Sequence, residues 1–284
     1  QAYRTSFAIA VAEVAYLPEK DIIRTLQEKT GITNIKLLKA DPVSGINRNI
    51  IVHAEEIGAP FVGIRGSDFS EDKNIFLDNL FNIAQSNFHK IKAHIKTNAV
   101  DDISIFFDGD YHEWGAVKHT QRFINDAIQD GIIPPSTQLH IAGHSLAAST
   151  AKVIAAMNND YHAYSFDSPE FGPKALAMLK KEKHFDEGKM YTLQFSQNRI
   201  NTCWPCHIGT VDRIILSPEM KAKFITEQSS PLAQYSGNGF TRLSNGSVYD
   251  HAADMTFDST EIPTTDFRFL GVMHSIRHNH AALS

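Results

Sequence analysis

Apolar and polar positions alternate along this chain in two rhythms, and the rhythms mark out its elements. Residues 6–16 (SFAIAVAEVAY) and 21–30 (DIIRTLQEKT) read as helices, with Pro18 separating them. Residues 35–39 and 49–53 are short β-branched and aliphatic runs around a polar turn, the pattern of two strands. Residues 60–64 form a third apolar run that stops at Gly66-Ser67. From residue 74 to about 96, Phe76, Leu77, Leu80, Phe81, Ile83, Ala84, Phe88 and Ile91 recur near helical spacing. A strand is expected at 103–107. A helix is expected at 117–129, with Val117, Phe123, Ile124 and Ile128 inward. Further strands are expected at 139–142, 161–166, 190–195, 211–216 and 267–273. Helices are expected after Ser145, at 173–182 and at 274–283. Residues 217–247 are polar and show no clear period. Strands alternate with helices from Phe61 onward, which predicts an α/β protein with a mostly parallel sheet flanked by helices. No linker or charge run divides the chain, so residues 1–284 are expected to form a single domain.

One stretch carries chemistry on its face. Leu139-His140-Ile141-Ala142 is a buried-strand run that breaks at Gly143-His144-Ser145 and resumes as the small-residue helix Leu146-Ala147-Ala148-Ser149. Strand, Gly-x-Ser and helix in that order make the nucleophile-elbow pattern. A serine on so sharp a turn needs small residues two before and two after it, and Gly143 and Ala147 meet that demand. The backbone N–H of Leu146 would face a substrate carbonyl at the positive end of the helix. Groups that do chemistry on a parallel sheet lie at the carboxyl ends of its strands. Ser67, Ser145, Asp167, Asn198 and His274 all fall just beyond expected strands.

Composition narrows the function further. The 284 residues are 42% hydrophobic and 21% charged, an ordinary globular balance. A net charge of -5 argues against a nucleic-acid binder. No run is long and apolar enough to predict a transmembrane segment. The chain opens on Gln1 rather than Met, which reads as a processed or trimmed product, and removal of an upstream secretion signal is one way to reach it. The two cysteines do not by themselves assign a compartment.

Four motifs in order resemble the class 3 lipases of the α/β-hydrolase fold. Val62-Gly63-Ile64-Arg65-Gly66-Ser67 is similar to that family's strand ending in Arg-Gly-Ser/Thr. His112-Glu113-Trp114-Gly115 loosely resembles its His-x-Gly-Phe element. Gly143-His144-Ser145-Leu146-Ala147 resembles Gly-His-Ser-Leu-Gly, and Phe166-Asp167-Ser168-Pro169-Glu170-Phe171-Gly172 resembles Phe-Gly-Ser-Pro-Arg-Val-Gly. The resemblance implies a serine esterase without a cofactor, acting on acylglycerols or phospholipids at a membrane or micelle surface. It also implies a Ser-acid-His triad with Ser145 as nucleophile, and an oxyanion hole from the N–H groups of Ser67 and Leu146. The segment 68–88, polar at its start and apolar along its helix, corresponds to a lid, or alternatively to a permanently packed core helix.

The chain departs from this family at the acid. Asn198 stands in Phe195-Ser196-Gln197-Asn198 where an Asp is expected. Asn can orient an imidazole but supplies no full charge to an imidazolium. Asp167, in place of the family's Gly, is the rival acid, or else a turn or capping residue. Asp212 is a third carboxylate, inside an expected strand. Among 14 histidines, His274 suits the base because it follows the last expected strand. His251 is the alternative, as far beyond Asn198 as Asn198 is beyond Ser145. His144 reads as a packing residue, and His278 and His280 as solvated. Cys203-Trp204-Pro205-Cys206-His207 has haem-attachment spacing, and also suits a zinc site, a redox pair, a local disulfide or packing. Two other classes of function therefore stand beside the esterase. One is a catalytically weak or inactive scaffold binding lipid or protein, and the other is a redox or haem protein.

Overall fold

The structure is a computed structural model of the chain. It describes residues 2–42, 48–66, 109–195, 208–214, 240–242, 248–250 and 255–257. In chain order the helices are α1 (Ala2–Val14), α2 (Glu19–Thr30), α3 (Gly115–Gln129), α4 (Leu146–Met157) and α5 (Pro173–Leu179). The first seven strands are β1 (Ile35–Ala40), β2 (Asn49–Ala54), β3 (Pro60–Ile64), β4 (Leu139–His144), β5 (Tyr161–Phe166), β6 (Met190–Phe195) and β7 (Thr210–Ile214). They form one sheet in the order β1-β2-β3-β4-β5-β6-β7. The pairs β1–β2 and β2–β3 are antiparallel, and every pair from β3 to β7 is parallel. With helices on both faces of this mostly parallel sheet, the chain has an α/β fold, an arrangement consistent with the α/β-hydrolase expectation.

Strand periodicity divides the core between the two faces. On one face lie Ile51, Val62, Ile64, Leu139, Ile141 and Ala163, covered by α4 and, beside it toward β1 and β2, α3. On the other lie Ile50, Val52, Phe61, Ala142, Tyr164 and Phe166, covered by α1. Successive residues of one strand thus feed opposite cores, as the two-residue repeat requires. This explains why β3 and β4 are buried along their whole length and read as continuous apolar runs. The same logic fits α1. Nearly all its residues from Thr5 to Val14 are buried, so it is apolar around its circumference rather than along one stripe. Its buried acid, Glu13, is paired with Lys29 of α2 at 3.0 Å.

Several expectations are corrected in detail. Helix α1 starts at Ala2, ahead of the apolar run, because exposed Tyr3 and Arg4 continue the helix without being buried. Helix α5 ends at Leu179 rather than residue 182. There Lys181 and Glu182 bond to carbonyls three residues back, where polar side chains leave no apolar face to prolong the helix. The span 217–247, read as irregular, contains β8 (Phe240–Arg242). This strand pairs antiparallel with β9 (Val248–Asp250), which pairs with β10 (Met255–Phe257). Strands of three residues are too short to show alternation. The expected elements at 74–96, 103–107, 267–273 and 274–283 lie outside the described residues. Among the described residues, no helix is long and apolar enough to cross a membrane.

Candidate active site

Ser145 stands alone between β4, which ends at His144, and α4, which begins at Leu146. It reverses the chain with φ 62° and ψ -130°. A non-glycine residue in such a region costs on the order of 1–3 kcal/mol and persists where its surroundings over-determine it. Two backbone hydrogen bonds do so: Ser145 N–H donates to Phe166 O at 3.0 Å, and Ala148 N–H donates to Ser145 O at 2.9 Å. Gly143 is the steric requirement behind the turn. A Cβ there would lie 2.2 Å from the Ala147 carbonyl oxygen, so strand and helix meet with no space for a side chain. Ala147 itself is fully buried, and its methyl fits where the resembling family has Gly.

Gly66, of the Arg-Gly-Ser motif, is folded against this elbow. A Cβ on Gly66 would lie 2.4 Å from His144 O, 2.6 Å from Tyr16 Oη and 3.4 Å from Ser145 Cβ. The end of β3 therefore runs directly beside the candidate nucleophile. Tyr16, just past α1, ties the two segments together. Its Oη accepts the Gly66 N–H at 2.9 Å and lies 3.5 Å from His144 Nδ1. The Arg65 guanidinium sits over the Tyr16 ring, 5.8 Å from its centroid. His144 is buried, as expected of a packing residue. Tyr16 had no signal in the sequence beyond closing a helical run, because its partners are 50 and 128 residues away.

Leu146 opens α4, so its N–H is among the donors that a helix leaves without an intrahelical partner, at the positive end of the helix dipole. Asp167 is the first residue past β5. His144 and Phe166 are paired in register, so Ser145 and Asp167 are the next residues along two neighbouring parallel strands. Asp167 is fully buried, has φ 48°, and donates its N–H to Leu193 O of β6 at 3.0 Å. It caps no helix, since the N-cap of α5 is Gly172. Asp212 lies within β7, as expected, and accepts a hydrogen bond from Tyr191 Oη at 2.7 Å. That bond, after burial, pushes the Tyr191 hydroxyl pKa upward. The weak second motif has a packing role. Trp114 is buried and stacks on Phe171 of the fourth motif, with centroids 6.2 Å apart and planes 7° apart.

Ser67, Asn198, His251 and His274 lie outside the described residues, as do the span 68–88, Cys203, Cys206 and His207, and His278 and His280. Among the described residues, no group of three or more His, Cys, Asp or Glu is placed to hold a metal ion. What the described part offers is a hydroxyl on a strained turn, a helix N-terminus beside it, and a buried carboxyl-bearing residue one strand away. That set suits nucleophilic attack on a carbonyl with stabilisation of the resulting oxyanion.

No protein-family model matches the chain, and comparison with curated proteins yields no match either. Among solved structures, the chain is similar to the Lip2 lipase from Yarrowia lipolytica. The identity is 15% over 75% of this chain and 78% of that one, with a TM-score of 0.48. It is also similar to lipase II from Rhizopus niveus, at 12% identity over 75% and 80% of the two chains and a TM-score of 0.47. A triacylglycerol lipase from Penicillium expansum gives 12% identity over 75% and 80%, with a TM-score of 0.37. At identities and overlaps this low, no residue role is carried from those proteins to this one.

Proposed function

We propose that the chain is a serine esterase of the lipase type, a single catalytic domain that hydrolyses carboxylic ester bonds of acylglycerols or phospholipids through an acyl-enzyme on Ser145. The observation that supports this reading most is the elbow. Ser145 holds φ 62° between β4 and α4, with Gly66 packed against it from the neighbouring strand. The lipid class of the substrate rests on the four motifs and their resemblance to class 3 lipases.

In this reading the Ser145 hydroxyl adds to the acyl carbonyl carbon while a histidine takes its proton. The carbonyl oxygen becomes an oxyanion, held by the N–H groups of Leu146 and Ser67. Losing one such donor typically costs about 10²–10³ in rate. Collapse of the adduct breaks the bond to the leaving oxygen, and the histidine gives its proton to the departing alcohol. Water, deprotonated by the same histidine, then adds to the acyl-enzyme. A second collapse releases the fatty acid and restores Ser145. We assign the base to His274, with His251 as the alternative, and the group that orients it to Asp167, with Asn198 as the alternative. Burial of Asp167 at the level of Ser145 supports the first choice of acid.

The test is Ser145→Ala, assayed with a short-chain nitrophenyl ester. Hydrolysis should fall to background with an unchanged circular dichroism spectrum, and a fluorophosphonate should label Ser145 in the parent. Hydrolysis at the parental rate by the folded variant would move the nucleophile elsewhere. Asn198 favours one other reading, an inactive scaffold that binds lipid. A parent that binds lipid vesicles but takes no label and turns over no ester would establish that reading instead.

A further inference from the structure

A ladder of polar contacts joins α4 to the turn after β5, and its last rung is a fully buried ion pair. The first rung is Ser145 N–H to Phe166 O at 3.0 Å. The second is Ser149 Oγ to Ser168 Oγ at 3.2 Å. The third is Lys152 Nζ to Glu170 Oε1 at 2.6 Å. Ser145, Ser149 and Lys152 are four and then three residues apart, so they share one face of the helix. Their partners alternate along the turn, and Asp167 lies between the first rung and the second. Ser149, Lys152, Asp167, Ser168 and Glu170 are all completely buried.

The turn needs such fastening. Asp167 and Glu170 both take left-handed backbone conformations, with φ 48° and 60°. Neither is glycine, so the turn holds only if its surroundings over-determine it. The ion pair is also the expensive way to fill this space. Lys152 is the one charged residue of α4, and burial drives its ammonium pKa downward while Glu170 pulls it back up. A buried ion pair adds little stability over well-packed apolar side chains of similar size, yet it fixes the distance and direction between two charged atoms.

We propose that Lys152 and Glu170 are positioning residues, which set the turn bearing Asp167 at a fixed distance from Ser145. The inference rests on the reading of Ser145 as nucleophile and Asp167 as the orienting acid. Neither Lys152 nor Glu170 touches substrate.

The test replaces both partners at once. Lys152→Met with Glu170→Met removes both charges and keeps the volume, so the fold survives and the thermal midpoint stays near the parental one. With the turn unfastened, kcat on a soluble nitrophenyl ester should fall about 10- to 100-fold at unchanged KM, the scale of a displacement near 1 Å. Fluorophosphonate labelling of Ser145 should slow in proportion. Glu170→Asp serves as a second probe that keeps the charges but shortens the reach. It too should lose kcat at constant KM, even where the double variant does not fold. Parental kcat and labelling in either folded variant would make the pair a packing feature and overturn the proposal. Ser145→Ala separates the two readings: if that variant still turns over ester, the assignment of the site has failed, whatever Lys152 and Glu170 do.

Discussion

Two neighbouring strands of the sheet end in the same unusual way, and the chain secures them differently. After β4, Ser145 turns the backbone with φ 62°; after β5, Asp167 does so with φ 48°. The first turn passes straight into α4 and is secured by backbone contact. Its requirements are a missing side chain at Gly143 and two main-chain hydrogen bonds. The second wanders through Ser168-Pro169-Glu170-Phe171-Gly172 before α5 starts; beyond the one main-chain bond from Asp167 N–H to Leu193 O, it is secured by side chains reaching across from α4. A turn set by the backbone breaks when an atom is added. A turn set by side chains breaks when a polar group is removed.

The largest expected effect separates the two turns by chemistry. If Asp167 orients the base, Asp167→Asn should lower kcat by about 10⁴, the loss seen when a triad Asp becomes Asn. The companion change Asn198→Asp should then matter little. A small loss at 167 with a large change at 198 would give the role to Asn198. Next comes the steric prediction. Gly143→Ala places a Cβ 2.2 Å from Ala147 O, so it should either unfold the protein or open the elbow, at a cost of several kcal/mol. A melting curve together with Ser145 labelling would show which, and a stable, fully labelled variant would refute the backbone account.

A pH experiment asks whether the two turns fail together. His140 lies in β4, buried on the opposite face and stacked on Phe61 at 4.7 Å. Burial, then the nearby His162 and Arg4, lowers its pKa to about 4. The folded chain therefore keeps His140 neutral, while the unfolded chain protonates it near its ordinary value of about 6.5. This contribution to stability is fully present above about pH 6.5 and is lost as pH falls toward about 4, on the order of 3 kcal/mol in all. Denaturant titrations at pH 7 and near pH 4.5 should show the loss, and His140→Leu should flatten it. The smallest effect is expected at Tyr16. Tyr16→Phe keeps the ring under Arg65 but removes the acceptor of the Gly66 N–H. A loss of about 1 kcal/mol, or several-fold in kcat/KM, is the scale of one hydrogen bond. An unchanged rate would mean that Gly66 is held by packing alone.

Much of this arrangement was legible because it is local. Residues 139–142, 161–166 and 190–195 each announce a strand by their aliphatic and aromatic residues, and Gly143-His144-Ser145 announces a sharp turn between strand and helix, although β4 itself runs on through Gly143 and His144. The antiparallel edge β1-β2-β3 and the small sheet of β8, β9 and β10 were not legible. Pairing direction leaves no trace in the period of a short strand, and three residues are too few to have a period at all. Nothing in the sequence marks Lys152 as buried, and only its placement against Glu170 shows it to be so.

The sequence by itself determined the α/β layering, the existence and order of the central strands and the candidate nucleophile. Each of these follows from side-chain size and spacing within a dozen residues. Tertiary structure alone decided that Gly66 lies against Ser145, that Tyr16 ties β3 to the elbow, and that Asp167 shares the level of Ser145 with Lys152 and Glu170 beneath it. Those contacts depend on strand order and register. Both are settled by how whole faces of helix and sheet pack together, and no local stretch of chain encodes that.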